Sequence, residues 1–462
     1  MTTESKEIVE LYLFRNEIPF VFPKTLKTLH LENCELKNLP KLPDTLERLL
    51  FNKVTLGNFP TIPKSLVYLE CNKTEVERIP ELPDQLIFLS FTESQSLKKL
   101  PKLPKSLTRL DIHHCEQIEE LPILPENLVY LNFCYTNVKE IKHLPKTLEC
   151  LKCSITPVER LPELPNGLTE LDCSSTEIKE LPKLPEHLLY LHCEQTAIKT
   201  LPQLPKSLLV LNCSGTQITY LPNLPVILQE LTIVQTPIKK LGKLSHLGDL
   251  ITLDLANCCD LEHIESFPKN LVNLIMNLND KLLEIPKLPL SLESLVVRDC
   301  MLSRFPKIPG NLMAIECDGC LVLKFSENDL PINIEKSISN CPFFEGIMYS
   351  KKNNVYYHNP TFMVFKSRDN LTVKGFLKNG FVQPIDKDCI NLCKQHGFEY
   401  EQPIIQEAKS IPTCVICLIN QPSIALINCG HLVYCNECYT SINNLTCPKC
   451  RKENKNVIKI YL

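Results

Sequence analysis

Residues 161–180 read LPELPNGLTELDCSSTEIKE and residues 181–200 read LPKLPEHLLYLHCEQTAIKT. Laid over each other, they keep four Leu, two Pro, one Cys, one Thr, one Ile and one Lys in place, with a period of 20. Self-similarity at a fixed short period marks a chain built from stacked supersecondary units. Written L-x-x-L-x-(L/C/F)-x-x-(T/C/N)-x-(I/L/V), the unit recurs from Ile8, Leu26, Leu46, Leu66, Leu86, Leu107, Leu128, Leu148, Leu168, Leu188, Leu208, Leu228, Leu250, Leu271, Leu292 and Leu312. That makes sixteen units spaced 18 to 22 residues apart. A unit this short supplies one strand and one return segment, and it buries its apolar face only against its neighbours.

The pattern is that of a leucine-rich repeat, so the resemblance implies an α/β-type repeat solenoid of parallel strands. The return segment here is LPxLP. Two prolines three apart remove backbone donors and fix φ near the polyproline value. The convex side is therefore expected to be extended and Pro-rich rather than helical. In this respect residues 8 to about 330 resemble the short, Leu-Pro-rich repeats of bacterial effector proteins. At the usual strand spacing sixteen units would span roughly 75 Å.

Aligned units sort the side chains into columns. Position six carries Cys71, Cys153, Cys173, Cys193, Cys213 and Cys317, and position nine carries Cys34, Cys115, Cys258, Cys300 and Cys320, with Thr in seven other units. Both columns are expected to point inward, the thiols acting as small hydrophobes and position nine satisfying backbone groups of the turn that leaves each strand. Positions three and five face the concave surface and vary between units. Aromatic side chains anchor protein interfaces because they offer large area at low entropic cost. Tyr68, Phe88, Arg109, Tyr130 and Tyr190 at position three are thus the candidate surface for a protein substrate, with Glu70, Asp111, Asn132, Asp172, His192 and Asn212 beside them at position five.

Composition narrows the rest. The net charge of -3 gives no overall basic balance of the kind that nucleic-acid or anionic-membrane binding usually needs. Thirty-six prolines against 12 glycines agree with a structural role for proline. The opening residues MTTESKEIVELYLF lack a basic region followed by an apolar core, and no stretch approaches the ~18 apolar residues that span a bilayer. The expectation is a cytoplasmic protein with reduced thiols among its 24 cysteines.

The period stops near 325, and residues 331–410 have the aromatic and β-branched bias of strands, followed by a helical-looking stretch in which Cys389, Cys393 and His396 share one face. A small α/β cap or linker domain is expected there, between a solenoid over 1–330 and a third domain over 411–462.

That third domain contains Cys414-x2-Cys417-x11-Cys429-x1-His431-x3-Cys435-x2-Cys438-x8-Cys447-x2-Cys450. Seven thiols and one imidazole suffice for two closed tetrahedral Zn2+ sites, with no open position for a catalytic water. The spacing is similar to the C3HC4 RING finger. That resemblance implies a crossed arrangement, with Cys414, Cys417, Cys435 and Cys438 on one zinc and Cys429, His431, Cys447 and Cys450 on the other. It further implies that Ile416, Ile442 (or Leu445, which the x8 interval also permits) and Pro448 touch an E2 ubiquitin-conjugating enzyme and that Arg451 bridges that enzyme and ubiquitin, a task suited to the five-donor guanidinium fork. CGHLVYC, CPKCR and the closing NVIKIYL resemble the inhibitor-of-apoptosis type of RING, whose apolar tail forms a strand in a homodimer; Ile458, Tyr461 and Leu462 match that tail. The order of parts is similar to leucine-rich-repeat RING proteins of large DNA viruses, which would place the chain in host cytoplasm. The implied function is a RING-type E3 ubiquitin ligase whose solenoid recruits a protein substrate. The alternative is a non-catalytic interaction scaffold with a purely structural zinc domain.

Overall fold

The structure is a computed structural model that describes residues 9–14, 19, 21–320, 322–331 and 334–338, together with the backbone of eight further strands between residues 344 and 459. By contacts the chain divides into two compact units, Met1–Leu371 with Phe376–Val382, and Thr372–Gly375 with Gln383–Leu462.

The first unit is dominated by a 17-stranded parallel sheet in which consecutive repeats pair side by side. Glu10–Phe14, Thr28–Leu36, Arg48–Leu56, Tyr68–Asn72 and Phe88–Thr92 open it, and three-residue strands follow from Arg109–Asp111 to Ala314–Glu316. Register is set by position four. Leu29, Leu49, Leu69, Leu89, Leu110 and Leu131 stand opposite one another from strand to strand, and all are fully buried. A one-residue slip would turn this column out to water, so the leucines fix the pairing.

Nearly every described return segment ends in a β-turn begun by its second proline, as where Leu168 N–H donates to Pro165 O at 3.1 Å. The convex side is extended, as expected. It gains a second parallel pair, Lys240–Lys243 with His263–Ser266, at the two units where Gly242 and Glu265 stand in place of the first proline of LPxLP. Without that proline a backbone donor is available, and a ladder forms.

Position eight of each described repeat, fifteen in all, is left-handed, with φ between 52° and 75°. Thirteen of these residues are not glycine, and one, Ile155, is β-branched, the residue class for which such a φ is most unusual. The conformation keeps the N–H in the inter-turn ladder: Ile155 N–H donates to Ser174 O at 2.9 Å and Gln195 N–H to Ser214 O at 2.7 Å.

The sheet runs one strand past the expected end of the solenoid, since Glu335–Ser337 pairs in parallel with Ala314–Glu316. The sequence pattern hides this turn because Lys336 stands opposite Ile315, where a leucine would be expected. Beyond it, Phe325–Ser326, Phe344–Ser350, Val355–Asn359, Met363–Phe365, Val373–Lys378 and Phe381–Gln383 make a six-stranded sheet. The helix expected from residue 385 lies outside the described residues. Among the described residues no helix is long and apolar enough to cross a membrane.

Candidate functional site

The two cysteine columns point inward, as expected. Cys71, Cys153, Cys173, Cys193, Cys213 and Cys317 at position six, and Cys34, Cys115, Cys258, Cys300 and Cys320 at position nine, are all buried. Burial pushes the Cys213, Cys115 and Cys300 thiols up to about 12, and those of Cys153, Cys173 and Cys193 rise for the same reason. They stay protonated at neutral pH, and among the described residues no group of three or more possible ligands is assembled for a metal. The thiols of the solenoid are packing atoms.

Position nine closes the turn in three ways. The hydroxyls of Thr156, Thr176 and Thr216 donate to the position-six carbonyls of their own repeats at 2.7 Å. The thiols of Cys115, Cys300 and Cys320 reach back to the position-six carbonyl of the preceding repeat, at 3.0, 2.8 and 2.7 Å. Asn279 does both, donating to Met276 O and Leu255 O.

On the concave face the structure brings four of the five candidate residues together. Tyr68 and Phe88 stack at 4.1 Å with 9° between their planes. The Arg109 guanidinium lies 3.6 Å from the Tyr130 ring centre and 5.7 Å from that of Phe88. A residue that sequence reasoning passed over completes the row: Arg48, at position three of the repeat before Tyr68, lies 4.3 Å over the Tyr68 ring. Five consecutive repeats therefore carry one cation–π and aromatic ladder. Its signal was available in the position-three column, where Arg48 immediately precedes Tyr68. Tyr190 stands apart, separated from Tyr130 by the strands carrying Cys150 and Glu170.

Position five is largely structural rather than a free surface. The side-chain oxygens of Asp111, Asn132, Asp172 and Asn212 accept the N–H two residues on, at 3.3, 3.1, 3.1 and 3.1 Å. These short polar side chains hold the chain as it leaves the strand. Glu70 accepts a short hydrogen bond from Tyr68 O–H and another from Asn72 Nδ2 at 2.7 Å. Burial, the bond to Glu70 and the charge of Glu70 together raise the Tyr68 phenol to about 12. Further along, burial tends to raise Glu170, and hydrogen bonds from Lys152 at 2.7 Å and from Cys150 overcome it and hold this carboxyl low.

In the second unit Ile424–Leu426 pairs antiparallel with both Leu432–Tyr434 and Val457–Lys459. In sequence the first pair brackets Cys429 and His431, and Cys435 follows it directly. Ile458 lies on the third strand, opposite Ala425 of its own chain. The ligands Cys414, Cys417, Cys429, His431, Cys435, Cys438, Cys447 and Cys450, the contact residues Ile416, Ile442, Pro448 and Arg451, and Tyr461 and Leu462 lie outside the described residues. The donor set itself fits zinc, since thiolate and imidazole in pairs two residues apart are the donors that this ion prefers.

Comparison with known proteins agrees with both halves. Residues 410–457 match the zinc finger, C3HC4 type (RING finger) family. The chain is 46% identical over 50 residues to RING finger protein 413R of Invertebrate iridescent virus 6, covering 8% of this chain and 24% of that protein. It is 42% identical over 48 residues to mitochondrial ubiquitin ligase activator of nfkb 1-A of Danio rerio, covering 10% and 14%. Over 50 residues it is 42% identical to an inhibitor of apoptosis protein of Gallus gallus, covering 11% and 8%. The chain thus spans under a quarter of the length of each of these relatives. The solenoid is similar to YopM from Yersinia enterocolitica, at 27% identity and a TM-score of 0.59, over 71% of this chain and 82% of that one. The chain joins a solenoid of the leucine-rich-repeat type to a C3HC4 RING finger.

Proposed function

We propose that the protein is a RING-type E3 ubiquitin ligase in which the solenoid recruits a protein substrate and the RING finger positions an E2–ubiquitin thioester for transfer to a substrate lysine. The observation that carries this reading is the complete ligand series Cys414 to Cys450 with Ile416, Pro448 and Arg451 at the positions through which RING fingers engage their conjugating enzymes. A relative named as a ubiquitin ligase activator supports it. Two zinc ions, when bound, supply fixed tetrahedral corners that hold the contact residues in place, with no open coordination position. The RING contributes no nucleophile. Its chemical contribution is to hold the thioester and the acceptor lysine in a reactive geometry, which lowers the entropic part of the barrier.

Purified full-length protein tested with a panel of E2 enzymes should form ubiquitin conjugates that are lost on chelation of zinc and in Ile416→Ala, while Ile416→Ala retains both zincs by elemental analysis. A zinc-loaded protein that forms no conjugate with any E2 would instead be an interaction scaffold. The tail residues Ile458, Tyr461 and Leu462 are proposed to pair two copies, so removing residues 457–462 should convert a dimer to a monomer by light scattering. A truncated protein that stays dimeric would refute the role of the tail. We place the protein in the cytoplasm, where ubiquitin and E2 enzymes are found.

A further inference from the structure

We infer that the ladder Arg48–Tyr68–Phe88–Arg109–Tyr130 is a docking surface for an extended peptide that carries two carboxylates about four residues apart flanking an apolar side chain. The inference rests on the reading of the solenoid as the part that recruits a protein substrate, and it names the chemistry that the solenoid recruits.

Three observations carry it. First, both arginines are exposed, yet among the described residues neither makes an ion pair. The nearby acids are engaged elsewhere: Glu70 by Tyr68 and Asn72, Asp111 by His113 at 2.7 Å, and Glu170 by Lys152. Each guanidinium carbon lies over a ring, at 4.3 and 3.6 Å from its centre, and a guanidinium so placed has five N–H donors with which to meet a carboxylate. The charge complement of this strip is therefore an anion brought by the partner.

Second, the spacing suits an extended chain. Arg48 and Arg109 stand three strands apart, which is ~14 Å at the usual inter-strand distance, or about four residues of extended peptide. Between them stand the stacked, half-buried Tyr68 and Phe88 rings, whose accessible part would cover one apolar side chain lying between the two acids.

Third, the ring faces are already occupied. Tyr68 lies between Arg48 and Phe88, and Phe88 between Tyr68 and Arg109. Single-stranded nucleic acid is held by bases stacked on open aromatic faces along a positive groove. Here both faces of Tyr68 and Phe88 and one face of Tyr130 are taken, and Asp111 on the strand of Arg109, with Glu170 and Asp172 two strands past Tyr130, would repel a polyphosphate. An acidic peptide satisfies the two guanidinium groups without meeting that repulsion along its whole length.

The test is a phage-displayed library of random linear peptides selected on the full-length protein, with the winners resynthesised with a fluorophore and titrated by polarisation. Winners should bear paired Asp or Glu around an apolar residue. Their affinity should fall roughly tenfold or more in the Arg48→Gln/Arg109→Gln variant. It should hold in Lys183→Gln/Lys206→Gln, which removes the same charge from exposed positions within and just after LPxLP segments. Circular dichroism melting checks that both variants fold. Winners without acidic bias, no winners, equal affinity for the two double variants, or a decauridine probe that binds the ladder more tightly than the peptides would each overturn the inference. Conjugate formation without added substrate does not need the ladder. Conjugate formation by the wild-type protein without added peptide, measured alongside, therefore separates failure of this inference from failure of the ligase reading.

Discussion

The same residue is used in opposite ways in the two halves of this chain. In the solenoid, eleven cysteines fall on positions six and nine of the repeat, are buried, and include thiols pushed up by burial; Cys317 and Cys320 share one repeat with the spacing of a RING pair, yet both stay on the buried columns. In the RING finger they come in pairs two residues apart with a histidine among them, the arrangement that zinc requires. A cysteine falling on a buried column of the repeat packs as a small hydrophobe, whereas one paired off the period binds metal. Register with the repeat, rather than spacing or residue type, separates the two roles.

The sharpest way to break this comparison is thiol alkylation mapped by mass spectrometry with and without a chelator. Chelation should open the seven RING thiols from Cys414 to Cys450. Cys153, Cys173, Cys193 and Cys213 should remain protected by roughly a thousandfold or more, because their exposure needs unfolding of the solenoid. Cys259, the exposed thiol among the described residues, should label in both conditions. If the solenoid column labels as fast as the RING pairs on chelation, the distinction between packing and ligand thiols is lost.

The next effect in size tests what holds the solenoid together. Leu171→Ala, at a fully buried position-four site, should lower stability by about 3–5 kcal/mol, read as a shift of the urea midpoint. A change under ~1 kcal/mol would mean that the leucine column does not set the fold. Thr216→Val removes the hydroxyl bonded to Cys213 O at 2.7 Å and leaves a buried carbonyl unpaired, for about 1–3 kcal/mol. No loss in the same assay would show that position nine only fills space.

Smaller effects probe the turns. Ile155→Gly should raise stability by about 0.5–1 kcal/mol, since glycine removes the left-handed penalty at φ 54°. A destabilised variant would mean that the half-exposed Ile155 side chain contributes more packing than its backbone strain costs. The smallest effect is a pH dependence at His113. Its hydrogen bond to Asp111 raises its pKa against an opposing pull from burial. A group whose folded pKa lies above its unfolded value contributes fully below that unfolded value, about 6.5 for His. The contribution is then lost as pH rises through the raised folded pKa. The melting temperature of wild type relative to His113→Gln should therefore fall between slightly acid and neutral pH, and a flat difference would remove His113 from the account.

The leucine columns, the inward thiols, the polar role of position nine and the C3HC4 finger could all be read from residue type and spacing, because each demands a particular chemistry at a fixed interval. The left-handed position eight could not. Only Gly215 and Gly319 of its fifteen members are glycine, so the usual signal for positive φ is missing. The conformation is imposed by the ladder of N–H groups to the next repeat. The last strand, Glu335–Ser337, escaped because Lys336 breaks the leucine column, and the convex strand pair escaped because it needs both Gly242 and Glu265 to lack proline at once.

What the sequence determined by itself is thus the repeat, its parallel solenoid and the zinc-binding finger, all of which depend on local chemistry repeated or paired at fixed spacing. What only the tertiary structure decided is which variable side chains meet. Stacking the repeats set Arg48 over Tyr68 and Arg109 over Tyr130, left Tyr190 alone, and tied most of the position-five acids and amides into turns. Those outcomes depend on contacts between residues about twenty apart in the chain, which exist only once neighbouring strands are hydrogen-bonded in register.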